Sequence, residues 1–99
     1  MIKTIDKAQS KYKLHPLYAE AVLNSYANRF YRHQKYKESI MLLNKNKEFY
    51  PESKEIYYLL GLNYEALGDK ENAISNYKKS ISLGGDKKLN DEIKKLKQK

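Results

Sequence analysis

Ninety-nine residues carrying 20 Lys and Arg against 12 Asp and Glu make one basic domain of formal net charge +8, with room for a modest core and a net stability of about 5–10 kcal/mol. The absence of cysteine removes disulfides, thiol catalysis and cysteine metal sites, and no apolar run approaches the ~20 residues that span a bilayer. The segment Met1–Lys7 has no continuous apolar stretch of the kind a secretory signal needs. A chain that starts naturally at Met1 would be cytoplasmic, whereas a domain of a longer protein could be exported, so the compartment stays open. Residues 1–50 hold ten Lys/Arg and four Asp/Glu, and residues 51–99 hold ten and eight. The basic excess therefore lies mostly in the N-terminal half and is not a block of like charge, which makes nucleic acid the weakest of the partner readings.

The first predicted element runs over residues 2–13, where Ile2, Ile5, Gln9 and Tyr12 form a short stripe. His15-Pro16 ends it, because the residue before proline is pushed out of the α region. Pro16 suits the first turn of a second helix, where its missing N–H is not needed. That helix reaches about Arg32, with Ala19, Val22, Leu23, Tyr26, Ala27 and Phe30 on the face expected to meet the core. His33-Gln34-Lys35 is a weak turn with neither glycine nor proline. A third helix follows over 36–48 on Tyr36, Ile40, Leu43 and Lys47, and stops before Pro51. Ser53 caps a fourth over 54–67. Gly68 can take the left-handed backbone that closes it, and Asp69 caps a fifth over 70–82. After the break at Gly84-Gly85-Asp86, a sixth over 87–97 carries Leu89, Ile93 and Leu96 among lysines. No stretch alternates at period two. The expected class is all-α, a set of short antiparallel pairs.

Sliding the chain along itself until Leu23 falls on Tyr57 also lays Tyr26 on Leu60, Ala27 on Gly61 and Phe30 on Tyr64. The same shift lays Ser39 on Ala73, Ile40 on Ile74, Leu43 on Tyr77, Phe49 on Leu83 and Pro51 on Gly85. Large falls on large and small on small, which defines repeats over 20–53 and 54–87. The second copy, Tyr57-x2-Leu60-Gly61-x2-Tyr64 with Ala73, Tyr77 and Gly85, resembles the tetratricopeptide repeat (TPR) pattern of an aromatic, Leu-Gly, Tyr, Ala, aromatic and a turn residue. The first, Leu23-x2-Tyr26-Ala27-x2-Phe30 with Ser39, Leu43 and Pro51, matches it less closely and lacks the Gly-Asp turn.

The resemblance covers about two thirds of the chain. It implies a right-handed α-α superhelix of about three helical hairpins within a single domain over 1–99. The flanks complete it: an N-terminal packing helix in 1–15 and a capping helix in 88–99 close ends that two repeats alone would leave open. A narrower likeness concerns Tyr12 through Pro16, Leu23-Asn24-Ser25-Tyr26, Asn46, Tyr50-Pro51-Glu52-Ser53, Tyr57 and the segment with Gly68-Asp69, Asn76-Tyr77 and Ser80. These look similar to the short TPR appendage that follows the catalytic domain in some bacterial α/β-hydrolase or esterase-type proteins. On that likeness the chemistry would live in a neighbouring domain.

Catalytic signals are sparse. His15 and His33 sit at two different helix boundaries, and no metal-binding HExxH or Gly-x-Ser-x-Gly nucleophile elbow occurs. Glu52/Glu55 and Asp91/Glu92 fall on helix starts and read as solvated charge. The expectation is a non-catalytic chain with no metal and no cofactor.

In TPR arrays the first helix of each hairpin lines the concave groove, and the resemblance carries that role to the positions between the packing residues. These are Asn24, Asn28 and Tyr31 in the first repeat, edged by Ala21 and Arg32, and Tyr58, Leu62 and Glu65 in the second, edged by Glu55. Paired amides suit a peptide backbone, while Tyr31, Tyr58 and Leu62 supply stiff apolar area. Tyr58 and Leu62 could equally serve to contact the flanking helices. The clamp with which one TPR class holds chaperone C-terminal carboxylates is not reproduced, since Asn24 and Leu59 replace its lysine and an asparagine, and Leu89 and Ile93 meet its further basic sites. The expected function is therefore a protein- or peptide-binding module. The alternatives are self-assembly through an open end or exposed Tyr/Leu surface and, less favoured, binding of nucleic acid through the lysines. No membrane partner is expected.

Overall fold

The computed structural model describes residues 16–98, so the expected N-terminal packing helix over 1–15 and His15 lie outside the described residues. Among those described, five α-helices follow in order: α1 (Pro16–Arg32), α2 (Tyr36–Phe49), α3 (Lys54–Ala66), α4 (Lys70–Ser82) and α5 (Leu89–Gln98). Each packs against the next in sequence, and α1 also reaches α3. The arrangement is that of stacked helical hairpins, as the repeat in the sequence requires.

The caps explain where the helices start. The Ser53 hydroxyl accepts the Ile56 N–H at 3.3 Å, and the Asp69 carboxylate accepts the Asn72 N–H at 3.2 Å. Hydrogen bonds from the Asn72 side chain and backbone hold the Asp69 carboxyl below its ordinary value of 3.8. At the last turn, Asp86 accepts the Lys88 N–H at 2.9 Å and delays α5 to Leu89, slightly later than the sequence predicts.

Three helices end the same way, although only two of the ends were legible. Lys35 N–H bonds Phe30 O at 2.8 Å and Gln34 N–H bonds Tyr31 O at 2.9 Å. The same pair of bonds recurs from Asp69 and Gly68, and again from Gly85 and Gly84. Each places one residue in the left-handed region: Gly68 at φ 83°, Gly84 at φ 99°, and Gln34 at φ 64°. The turn read as weak in the first repeat is thus the same turn as Gly68-Asp69, built on a side chain that strains it. Lys35, the counterpart of Asp69 in the first repeat, offers α2 no side-chain cap.

We therefore expect Gln34→Gly/Lys35→Asp to raise stability by about 1–2 kcal/mol. It removes the left-handed penalty of a side chain, supplies a cap, and lets Glu38 complete a capping box. A urea or thermal midpoint that fails to rise would show that this turn is not strained.

Burial falls into two clusters. Ala27, Leu43, Ile56, Tyr57, Leu59 and Leu60 join α1, α2 and α3. Ala73, Tyr77, Leu89, Ile93 and Leu96 join α4 and α5. Tyr58, Leu62 and Tyr64 pack against both and make the core continuous. Burying each large side chain contributes about 1.5–3 kcal/mol.

Polar tethers repeat with the same period. Asn46 Nδ2 donates to Glu20 O at 3.3 Å, and Ser80 Oγ, its counterpart one repeat on, donates to Lys54 O at 2.9 Å. Each ties the second helix of a hairpin to the first, at the residue that opens the repeat. Tyr57, at the first aromatic site of the motif, is buried and donates its hydroxyl to Pro51 O at 2.7 Å.

Two packing expectations fail. Tyr26, aligned with buried Leu60, is 50% exposed with the Arg29 guanidinium 5.9 Å from its ring centroid. Leu60 faces back onto the first repeat, so the equivalent position in that repeat faces away from the second. Phe49, aligned with half-buried Leu83, is 69% exposed, because α2 continues to its position instead of turning as α4 does after Ser82.

Candidate functional site

α5 packs on α4 and leaves a groove of about 870 Å³ beside α3. The wall from α3 presents Glu55, Tyr58, Leu62 and Glu65. These positions step by three or four residues, so they form one stripe along the helix. Tyr77 rises from α4 between the walls, Glu92 faces in from α5, and Tyr31 closes the side nearest α1.

Aromatic contacts and one hydrogen bond set the shape. The Tyr58 and Tyr77 rings lie 6.4 Å apart at 38°, and Tyr31 packs on Tyr36 at 5.7 Å. The Tyr77 hydroxyl donates to Glu65 Oε1 at 2.7 Å. Burial pushes the Tyr77 hydroxyl well above the usual tyrosine range, and the Glu65 and Glu92 carboxylates push it further. Burial also raises Tyr31, with smaller contributions from Tyr36, Glu65 and Tyr58. Both phenols stay protonated at neutral pH, and that of Tyr77 donates to Glu65.

Of the six residues the resemblance carries to the groove, Tyr31, Tyr58, Leu62 and Glu65 line it. Asn24 and Asn28 are not on its wall. Asn24 is 7% exposed, and its Oδ1 accepts from Asn46 Nδ2 at 3.0 Å, which makes it a brace between α1 and α2. Asn28 is half-buried on α1. The groove lies over the second repeat and α5, so only the C-terminal end of α1 reaches it. Tyr58 and Leu62 line the groove and also pack on the cluster that holds α5.

Several lining residues escaped the sequence reading, Tyr77 and Glu92 among them. Tyr77 was a packing residue by motif, yet its hydroxyl reaches Glu65. Glu92 is spaced from Tyr58 as Tyr58 is from Asn24, so the signal was a third step of the same period.

Among the described residues no group of three or more His, Asp or Glu is placed to hold a metal, and no helix is long and apolar enough to cross a membrane. His33 is exposed just past α1. Compared with known proteins, residues 54–83 match the family model described as the tetratricopeptide repeat. No curated protein and no solved structure matches the chain.

Proposed function

We propose that this chain, a TPR-like protein with a tetratricopeptide repeat at residues 54–83, is a non-catalytic module that holds an extended peptide in the groove beside α3. The repeat is generally a protein–protein interaction module, and that coarse role is the premise. The observation that carries the finer reading is the stripe of Tyr58, Leu62 and Glu65 facing Tyr31 across an open groove. Aromatic and aliphatic anchors flanked by polar groups are the usual chemistry of peptide recognition. The reading is the same whether the chain stands alone or follows an esterase-type domain, since no chemistry is asked of it.

The test is a peptide array probed with wild type and with Tyr58→Ala. Peptides that bind the groove should lose about tenfold or more in affinity, the effect of removing an interface anchor. Asn24→Ala should leave peptide affinity unchanged in the folded protein while lowering its stability, because Asn24 braces Asn46. Peptides that bind both proteins equally well would show that the groove is not the site.

A further inference from the structure

The sign of charge in the groove is opposite to that of the chain. The chain as a whole is +8. Among the described residues that line the groove, Glu55, Glu65, Asp86 and Glu92 stand against Lys54 and Lys88. Lys54 Nζ donates to Gly84 O at 3.4 Å but keeps its charge, and the carboxylates still outnumber the lysines in the lining. A negative cleft in a positive molecule focuses its field on the groove and draws cations there.

The carboxylates are also distributed. Glu55 lies in the first turn of α3, and Asp86 follows the Gly84 turn that Lys54 touches. Glu65 lies at the other end of α3, where it and Glu92 both act on the Tyr77 hydroxyl. The rise of the helix puts Glu55 and Glu65 about 15 Å apart along the axis. Tyr58 and Leu62 occupy the interval. Tyrosine faces suit the stem of lysine or the plane of arginine.

Resting on the groove reading above, we propose that the groove selects a basic peptide: two Lys or Arg side chains, one for each acidic end, with an apolar residue between them. An extended chain rises about 3.3 Å per residue, so about 15 Å corresponds to a spacing of four to five residues. A peptide with an acidic tail meets a lining whose carboxylates outnumber its lysines. The charge complement distinguishes this groove from a generic apolar one, and it names the occupant by chemistry.

The test uses the full chain and three fluorescein-labelled peptides in anisotropy titrations. One has two arginines five residues apart around a leucine; in the others both arginines are replaced by glutamine or by glutamate. The arginine peptide should bind at least tenfold tighter than the glutamine peptide, and the glutamate peptide should not bind. Its affinity should fall as salt rises from ~50 to ~200 mM, because exposed ion pairs are screened. Glu92→Gln and Glu55→Gln, two substitutions outside the core, should together cost the arginine peptide about tenfold and leave the glutamine peptide unchanged. Equal binding of the arginine and glutamine peptides, indifference of the arginine peptide to the double substitution, or binding of none of the three overturns the inference. If Tyr58→Ala abolishes binding while the charge changes do nothing, the groove reading survives and the selectivity fails. If Tyr58→Ala leaves every peptide unaffected, the groove reading itself fails.

Discussion

Gly61→Ala is expected to cost the fold about 1–2 kcal/mol, even though alanine is the better helix former by about 1 kcal/mol. A methyl group at Gly61 would lie 2.5 Å from Tyr77 Cδ1 and closer still to Cε1. The ring cannot simply retreat. It is 1% exposed, its hydroxyl is bonded to Glu65, and it belongs to the cluster that seats α5. Overpacking of that kind costs about 1–3 kcal/mol or more, so the overlap outweighs the propensity.

The first repeat shows how the clash is avoided. At the equivalent positions it has Ala27 and Leu43, both fully buried in one cluster. A small residue faces a ring in one repeat, and a slightly larger one faces a smaller side chain in the other. Tyr77→Leu alone should also destabilise, by about 2–3 kcal/mol, through a void and the lost hydrogen bond to Glu65. The double variant Gly61→Ala/Tyr77→Leu should be more stable than the sum of the two predicts, with a coupling of about 1–2 kcal/mol. Urea midpoints of the four proteins measure it. Strict additivity would mean that the two positions do not share one packing volume.

A second large effect is expected from the polar thread through three helices. Asn63 on α3 donates to Ser39 Oγ at 3.0 Å and to Leu59 O at 2.8 Å. Ser39 on α2 donates in turn to Ala27 O on α1 at 2.8 Å. Ser39 is fully buried and Asn63 nearly so. Ser39→Ala should cost about 1–3 kcal/mol, because it leaves an amide hydrogen of Asn63 without its acceptor in the core. The size of the side chain is not the cause, since alanine stands at the equivalent Ala73 of the second repeat. Removing both partners with Ser39→Ala/Asn63→Leu should recover part of the loss, as replacing a buried pair by apolar groups of similar shape often does. A double variant less stable than Ser39→Ala alone would show that Asn63 acts mainly through its bond to Leu59 O.

Much of the architecture was legible in the chain. The repeat period places Ala27 beneath Gly61 and Leu43 beneath Tyr77, and periodicity of apolar residues marks each of the five described helices. Those features are local: a helix face, a cap at Ser53 or Asp69, and a glycine stop at Gly68 depend on residues within one or two turns. Gln34 was missed because nothing in a glutamine signals the left-handed region. Only closure of α1 onto α2 requires that turn, and the backbone bonds from Gln34 and Lys35 then hold it there.

The groove divides along the same line. Tyr31, Tyr58, Leu62 and Glu65 were found by position within the motif, because helix geometry alone decides which residues share a stripe. Whether a stripe meets open space depends on what the next helix covers, and that is a matter of packing. Asn24 shares the stripe of its repeat, yet Asn46 engages it inside the first hairpin. Glu92 and the Tyr77 hydroxyl join the wall only because Leu89, Ile93 and Leu96 seat α5 on α4 and hold it beside α3. The sequence by itself determined the five described helices, their pairing and, Tyr26 and Phe49 apart, the residues that hold one hairpin to the next. The tertiary structure alone decided where the groove opens and that its lining is acidic. Its carboxylates come from α3, α5 and the turn before α5, as far apart in the chain as Glu55 and Glu92, and no local pattern brings them together.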